Sequence, residues 1–247
     1  MQPELVTIFG RPIYWYGVMT ALGFLAAVAN WTWLGAREGR DRGLGSELGI
    51  WVMVGGILGA RVTYILSNWP EYAAAPLEML RIDKGGLIYY GGFIGGALAI
   101  VILSVLRKER LWNFADFVVT AVPLGHALGR IGCFLNGCCY GTPCQLPWAI
   151  PLQDVHRHPT PLYETAFNLL VYAFLLWLYP RRKREGSVFI AYLLVYPVGR
   201  FFFEFTRGDP RMTWMGLTVA QEVSIVLFAA GVGLWLLLPR RRTPADA

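Results

Sequence analysis

Charge is what this chain lacks most. Of its 247 residues only 15% are Asp, Glu, Lys or Arg, against about 25% in an ordinary soluble domain. Lysine is reduced to Lys84, Lys108 and Lys183, each in a loop between apolar runs. That placement excludes a retinal receptor, which needs a Schiff-base lysine within a helix. A cleavable signal peptide is not expected either: Met1–Pro12 carries little positive charge and offers no convincing cleavage site, so the first apolar run is expected to be retained. The net charge of +6 is scattered over short loops instead of being gathered on one soluble face. A nucleic-acid partner is therefore not expected.

What the chain has instead is apolar length. It is 55% hydrophobic with a mean hydropathy of +0.45. Aromatics make up 15% of it, and Trp15, Tyr16, Trp69, Tyr89, Tyr90, Trp112 and Trp214 sit near the ends of apolar runs, as in an interfacial belt. A bilayer core needs about 20 helical residues to cross it. Seven windows qualify, near 13–35, 48–68, 87–106, 113–135, 161–179, 187–206 and 216–238. The expected fold is an all-α polytopic membrane protein with about seven transmembrane helices, forming a single integral-membrane domain over 1–247. Windows three and four, separated by Arg107–Arg110 and a Leu-Trp-Asn turn, are expected to form a tight antiparallel hairpin.

Orientation follows from the loops. Arg37, Arg40 and Arg42, then Arg107, Lys108 and Arg110, then Arg181–Arg184, and finally Arg240–Arg242 make every second connection basic. The positive-inside rule then puts the amino terminus outside and the carboxyl terminus in the cytoplasm.

Against this background Arg61, Arg130 and Arg200 stand out, because each lies inside or at the rim of an apolar window. A charge in hydrocarbon costs a few kcal/mol on the lenient insertion scale, about 2.5–3.5 at a helix centre, so such an arginine marks a partner, a wet cavity or a ligand. With the predicted topology all three fall in the outward half of their helices, at the level of Tyr16, Tyr90 and Tyr163-Glu164. The inward halves hold almost no ionisable groups, which argues against a transport path. Guanidinium forks suit phosphate, which in a bilayer belongs to lipid head groups.

Local spacing groups further residues. Tyr196, Arg200 and Glu204 recur every four residues and share a helical face. Arg61 and Tyr64 are one turn apart, downstream of Gly55-Gly56, whose smallness suits helix packing. The run from Gly125 to Gly141 has glycine at 129, 132, 137 and 141 around Arg130 and Asn136, which suits a phosphate cradle at a helix end. The segment His158-Pro-Thr-Pro-Leu-Tyr-Glu164 opens helix five, with Thr160 expected as its N-cap and Pro161 as its first residue.

These motifs together resemble the prolipoprotein diacylglyceryl transferase family across nearly the whole chain. The likeness rests on Trp15-Tyr16-Gly17, Gly59-Ala-Arg61, Gly85-Gly86 with Tyr90-Gly91-Gly92, Gly129-Arg130-Ile-Gly132, Pro159-Thr160 with Leu162-Tyr163-Glu164, and Tyr196, Arg200-Phe and Glu204-Phe, in that order. The resemblance implies transfer of a diacylglyceryl group from phosphatidylglycerol to the lipobox cysteine thiol of exported prolipoproteins, with release of glycerol phosphate. It implies a bacterial cytoplasmic (inner) membrane location, a site towards the outer leaflet, and no cofactor. Carried onto this sequence, Arg130, Arg200, Tyr90 and Glu204 are the expected catalytic residues. Arg61, Tyr16, Tyr196, Asn136, Gly141, Tyr163 and Glu164 are expected to bind substrate.

The chain departs from the commoner family pattern at three positions. Tyr90 stands where a histidine is usual, Cys133 where an asparagine is, and Cys138 where a glutamate is. The residue usually proposed as general base is thus missing, and the arginines are expected to carry more of the catalysis than any single base. His126 and His158 are nearby in sequence and read as structural. Among Cys133, Cys138, Cys139 and Cys144 one bridge is expected, Cys139 with Cys144. A metal is not expected, because the spacing lacks paired Cys-x-x-Cys hooks. Two rival readings are a membrane thiol oxidoreductase working on the cysteines with a quinone, and a lipid-binding protein without catalysis.

Overall fold

The computed structural model describes residues 3–8, 10–81, 85–152, 154–211 and 213–238. Lys84 and the Arg240–Arg242 cluster lie outside the described residues. Helices dominate: α1 (Trp15–Arg37), α2 (Leu44–Ser67), α3 (Trp69–Ala74), α4 (Tyr89–Leu106), α5 (Leu111–Val119), α6 (Val122–Leu135), α7 (Thr160–Leu178), α8 (Ser187–Glu204) and α9 (Val219–Leu237). Three two-stranded hairpins accompany them: β1 (Glu4–Ile8) with β2 (Arg11–Tyr14), β3 (Ile150–Leu152) with β4 (Val155–Arg157), and β5 (Thr213–Trp214) with β6 (Leu217–Thr218). Seven helical stretches among the described residues are long and apolar enough to cross a membrane, with α5 and α6 counting as one. The chain is an all-α polytopic membrane protein.

Two compact units make up the chain, residues 1–30 with 115–247, and residues 31–114. In the second unit α2 packs chiefly on α4, and glycine makes the approach possible. A Cβ added at Gly55 would lie 2.7 Å from the Gly95 carbonyl oxygen, and one at Gly59 would lie 2.8 Å from the Gly95 Cα. Gly55, Gly59, Gly91 and Gly95 therefore bring two backbones together, as small residues do in membranes. At one end of this unit Arg40 bonds Glu109 at 2.8 Å, and Arg107 pairs with Asp41 at 3.1 Å and with Glu47. The loops after α1 and α4 therefore lie at the same end of the unit.

In the first unit α6, α7, α8 and α9 pack in chain order. The α1 segment lies against α6: a Cβ on Gly23 would sit 2.9 Å from the Gly125 carbonyl oxygen, and one on Gly132 would sit 3.3 Å from the Tyr16 Cα. The fourth predicted window is broken at Thr120-Ala121, where Pro123 helps to start α6. A buried polar chain occupies the break: Asn30 Nδ2 donates to Thr120 Oγ1 at 2.9 Å, and Tyr172 OH donates to Asn30 Oδ1 at 3.0 Å. Asp116, fully buried, accepts from the amides of Gly186, Val188 and Phe189 at 2.8–2.9 Å and so caps α8.

Thr160 corrects one expectation. It is the first residue of α7, not its N-cap, and its hydroxyl faces Thr206 at 3.3 Å. The preceding Pro159 takes the cap position, because the hydroxyl is drawn into the packing of the loop after α8.

Candidate active site

The first unit contains a chain of alternating charges. Arg130 on α6 lies 2.8 Å from Glu164 on α7. The other Glu164 oxygen accepts from Arg207 Nη1 at 3.1 Å. Arg207 in turn forks onto Asp209 with two bonds of 3.0 Å. Arg211 bridges Asp209 at 3.1 Å and Glu204 at 3.3 Å, and Glu204 closes on Arg200 at 2.6 Å. Four guanidiniums thus alternate with three carboxylates, leaving one excess positive charge. Glu164, Glu204 and Arg207 are all buried. Burial alone pushes the Asp209 carboxyl up, but Arg207 and Arg211 outweigh it and hold it below its ordinary range.

Sequence reasoning missed Arg207, Asp209 and Arg211. The signal was present, since Arg207 follows Glu204 by three residues and the run Arg-Gly-Asp-Pro-Arg comes where α8 ends. What places them is a backbone ladder. Thr142 N donates to Thr206 O at 2.9 Å and Gly208 N to Tyr140 O at 3.0 Å, while Gly141 N donates to His158 O at 3.0 Å. The segment 140–143 therefore threads between two neighbours. A Cβ on Gly141 would lie 2.6 Å from Thr160 Oγ1 and closer still to His158 Cβ. Gly141 serves this close approach.

The arginines differ in what their nitrogens do. All five N–H groups of Arg61, in the second unit, go to backbone carbonyls: Met79, Gly85, Gly86, Glu78 and Arg81, at 2.7–3.2 Å. Tyr64 and Tyr72 flank its guanidinium at 5.8 and 5.3 Å. Arg61 therefore ties residues 78–81 to Gly85 and Gly86, and the head-group contact expected of it has no donor left. Arg130 is different. Its Nε donates to His126 Nε2 at 3.2 Å and forms an ion pair with Glu164, and its Nη atoms have no hydrogen-bond partner among the described residues. Arg200 likewise commits only Nη1 to Glu204 among the described residues. The His126 ring, 5.5 Å from that of Tyr196, links the Arg130 helix to the Arg200 helix.

The other expected residues have distinct places. Tyr163 accepts from Trp148 Nε1 at 2.7 Å and meets His158 Nδ1 at 3.3 Å. Tyr16 and Asn136 line a groove of about 790 Å³ with Gly17, Pro12 and Ile13. Tyr90 opens α4 in the second unit, half exposed, with its ring edge-on to Tyr89.

The four cysteines are free thiols, and their grouping is not the expected one. The sulfurs of Cys133, Cys138 and Cys139 all lie within 4.8 Å of one another, and Cys144 is outside this trio. Cys139 has φ +61°, a turn that folds its side chain back towards the end of α6. A hydrogen bond from Cys133, followed by the charges of Arg207 and Arg130, holds the Cys139 thiol far below its ordinary value.

Residues 3–237 match the family described as prolipoprotein diacylglyceryl transferase. The chain belongs to that family. A Clostridium tetani protein named phosphatidylglycerol–prolipoprotein diacylglyceryl transferase is 36% identical over 239 residues, 94% of this chain and 96% of the relative. A Symbiobacterium thermophilum protein of the same name is 37% identical over 263 residues, 100% of this chain and 96% of the relative. One from Finegoldia magna is 33% identical over 248 residues, covering 100% and 99%. In this diacylglyceryl transferase family member, the motifs on which the resemblance rested supply Arg130, Glu164, Arg200 and Glu204, four of the seven links in the charge chain.

Proposed function

We propose that this chain transfers the diacylglyceryl group of phosphatidylglycerol to the lipobox cysteine thiol of prolipoproteins. The observation that carries the reading is the posture of Arg130 and Arg200. Each is anchored along one edge to a buried carboxylate, and each keeps other guanidinium nitrogens uncommitted among the described residues. Preorganised donors of this kind stabilise charge that develops only in the transition state.

In the reaction the thiolate sulfur attacks the glyceryl carbon that bears the phosphate ester. A C–S bond forms, the C–O bond breaks, and glycerol phosphate leaves with the electron pair. Arg130 and Arg200 receive the phosphate oxygens, with Tyr196 beside them. Glu164 and Glu204 hold the two arginines in place, and Arg207 and Arg211 pair with the second oxygen of each carboxylate. The groove at Tyr16 and Asn136 takes lipid or peptide. Tyr90 is not the base. The site faces the outer leaflet of the bacterial cytoplasmic membrane, with the amino terminus outside.

Purified protein, phosphatidylglycerol and a lipobox peptide test this, with glycerol phosphate release and the mass gain of the peptide as readouts. Arg130→Ala and Arg200→Ala are each expected to lower the rate by about 10²–10³-fold, the scale for removing a preorganised donor. Tyr90→Phe is expected to cost less than either. A wild-type protein that releases no glycerol phosphate sinks the assignment, and a Tyr90→Phe loss exceeding that of Arg130→Ala reverses the ranking.

A further inference from the structure

The reaction needs a thiolate, and a free cysteine thiol titrates at about 8.5. No residue described above has been assigned as the base that takes its proton. Another group must then favour the deprotonated sulfur. The three thiols at the end of α6 supply a candidate.

We propose that Cys133, Cys138 and Cys139 form a three-sulfur site for zinc, whose fourth position receives the thiol of the substrate peptide. Four observations support it. The three sulfurs already lie within 4.8 Å of one another, and a tetrahedral zinc with bonds of about 2.3 Å needs them about 3.8 Å apart, a shift that side-chain rotation covers. The ligands are split between the last turn of α6 and the loop behind it, and the positive φ of Cys139 turns the chain back on itself. The Arg207 guanidinium lies beside the Cys139 sulfur, and Arg130 is within electrostatic reach of Cys139 and Cys133, so two cations face the trio. Finally, Asn136, between the ligands in sequence, lines the groove of about 790 Å³ with Tyr16. Tyr16, on the wall of that groove, is within electrostatic reach of all three sulfurs.

Zinc with three protein ligands and one open position is the arrangement of catalytic sites, as opposed to the closed four-ligand structural ones. A thiol that coordinates such an ion is deprotonated outright. The peptide thiol binds zinc and gives its proton to water. Its sulfur then attacks the glyceryl carbon, and glycerol phosphate leaves with the C–O electron pair, so no oxidant or reductant is required. This inference rests on the transferase reading above, and its test does not depend on turnover.

The metal content of protein purified under reducing conditions is measured first. One zinc per chain is expected, lost in Cys133→Ser, Cys138→Ser and Cys139→Ser and retained in Cys144→Ser. Should a Ser variant fail to fold, wild-type protein stripped with a chelator and titrated with cobalt(II) gives the same answer through its sulfur-to-cobalt charge-transfer band. The cobalt form is then mixed with a lipobox peptide and with the same peptide carrying Ser for Cys. A change in the cobalt spectrum with the thiol peptide alone is expected. Absence of stoichiometric metal, or a disulfide within the trio of the reduced and stripped protein, overturns the site. A bound cobalt whose spectrum ignores the thiol peptide overturns the open position. A thiol-dependent spectrum in a protein that releases no glycerol phosphate upholds the site and overturns the transferase reading instead.

Discussion

Glu164 is the residue on which the charge chain turns. It is buried, and its two oxygens hold Arg130 at 2.8 Å and Arg207 at 3.1 Å. Removing one partner of a buried ion pair leaves uncompensated charge and typically costs about 3–5 kcal/mol. Glu164→Gln keeps the shape and removes the charge, so its expected effects are a lowered thermal midpoint in detergent and a rate loss comparable to that of Arg130→Ala. A Glu164→Gln protein with wild-type melting and wild-type rate would refute the clamp. Arg130→Lys is expected to restore little, because an ammonium lacks the second arm that reaches a phosphate while the first stays on Glu164. Transfer at more than about a tenth of the wild-type rate would show that charge alone suffices.

At the scale of elements, helix packing rests on glycine in both units. Between α2 and α4 the backbones approach until a single methyl has no room, as at Gly55 and Gly95. Gly95→Val is therefore expected to destabilise by about 1–3 kcal/mol, the usual range for overpacking. Thermal unfolding in detergent checks it, and Gly129→Ala serves as the control because a Cβ there meets nothing within 4 Å. Equal midpoints for the two variants would show that α2 and α4 separate without cost. The hairpin expected between windows three and four has its four-residue connection, 107–110, yet within the second unit the chief partner of α4 is α2. Short loops set which helices are adjacent in sequence, and small-residue faces set which ones pack.

At the scale of the whole molecule, the alternation of basic and non-basic loops is the basis of the proposed orientation. Arg40, Arg107 and their carboxylate partners join two of the basic loops at one end of the second unit. A fluorescent-protein fusion after α9 is expected to fluoresce in intact cells, and alkaline phosphatase inserted in the β5–β6 turn is expected to be active. The opposite pair of results would invert the topology.

Most of the architecture was legible in one dimension. A bilayer admits only segments that satisfy their own backbone, so hydropathy alone located seven spans, each within a few residues of its helix. The cost of charge in hydrocarbon likewise singled out Arg61, Arg130 and Arg200, and four-residue spacing added Glu204. What the sequence could not decide was which donor meets which acceptor. Arg61 and Arg130 read alike as letters in a string, yet one gives all five N–H groups to backbone carbonyls and the other keeps its Nη atoms uncommitted among the described residues. Arg207 became part of the site only because the 140–143 segment pairs with 206–208, and the cysteines formed a trio because of the turn at Cys139. Hydropathy sums over single residues and is fixed by composition and order. Guanidinium and thiol partners are fixed by direction and distance, which only the folded loops supply.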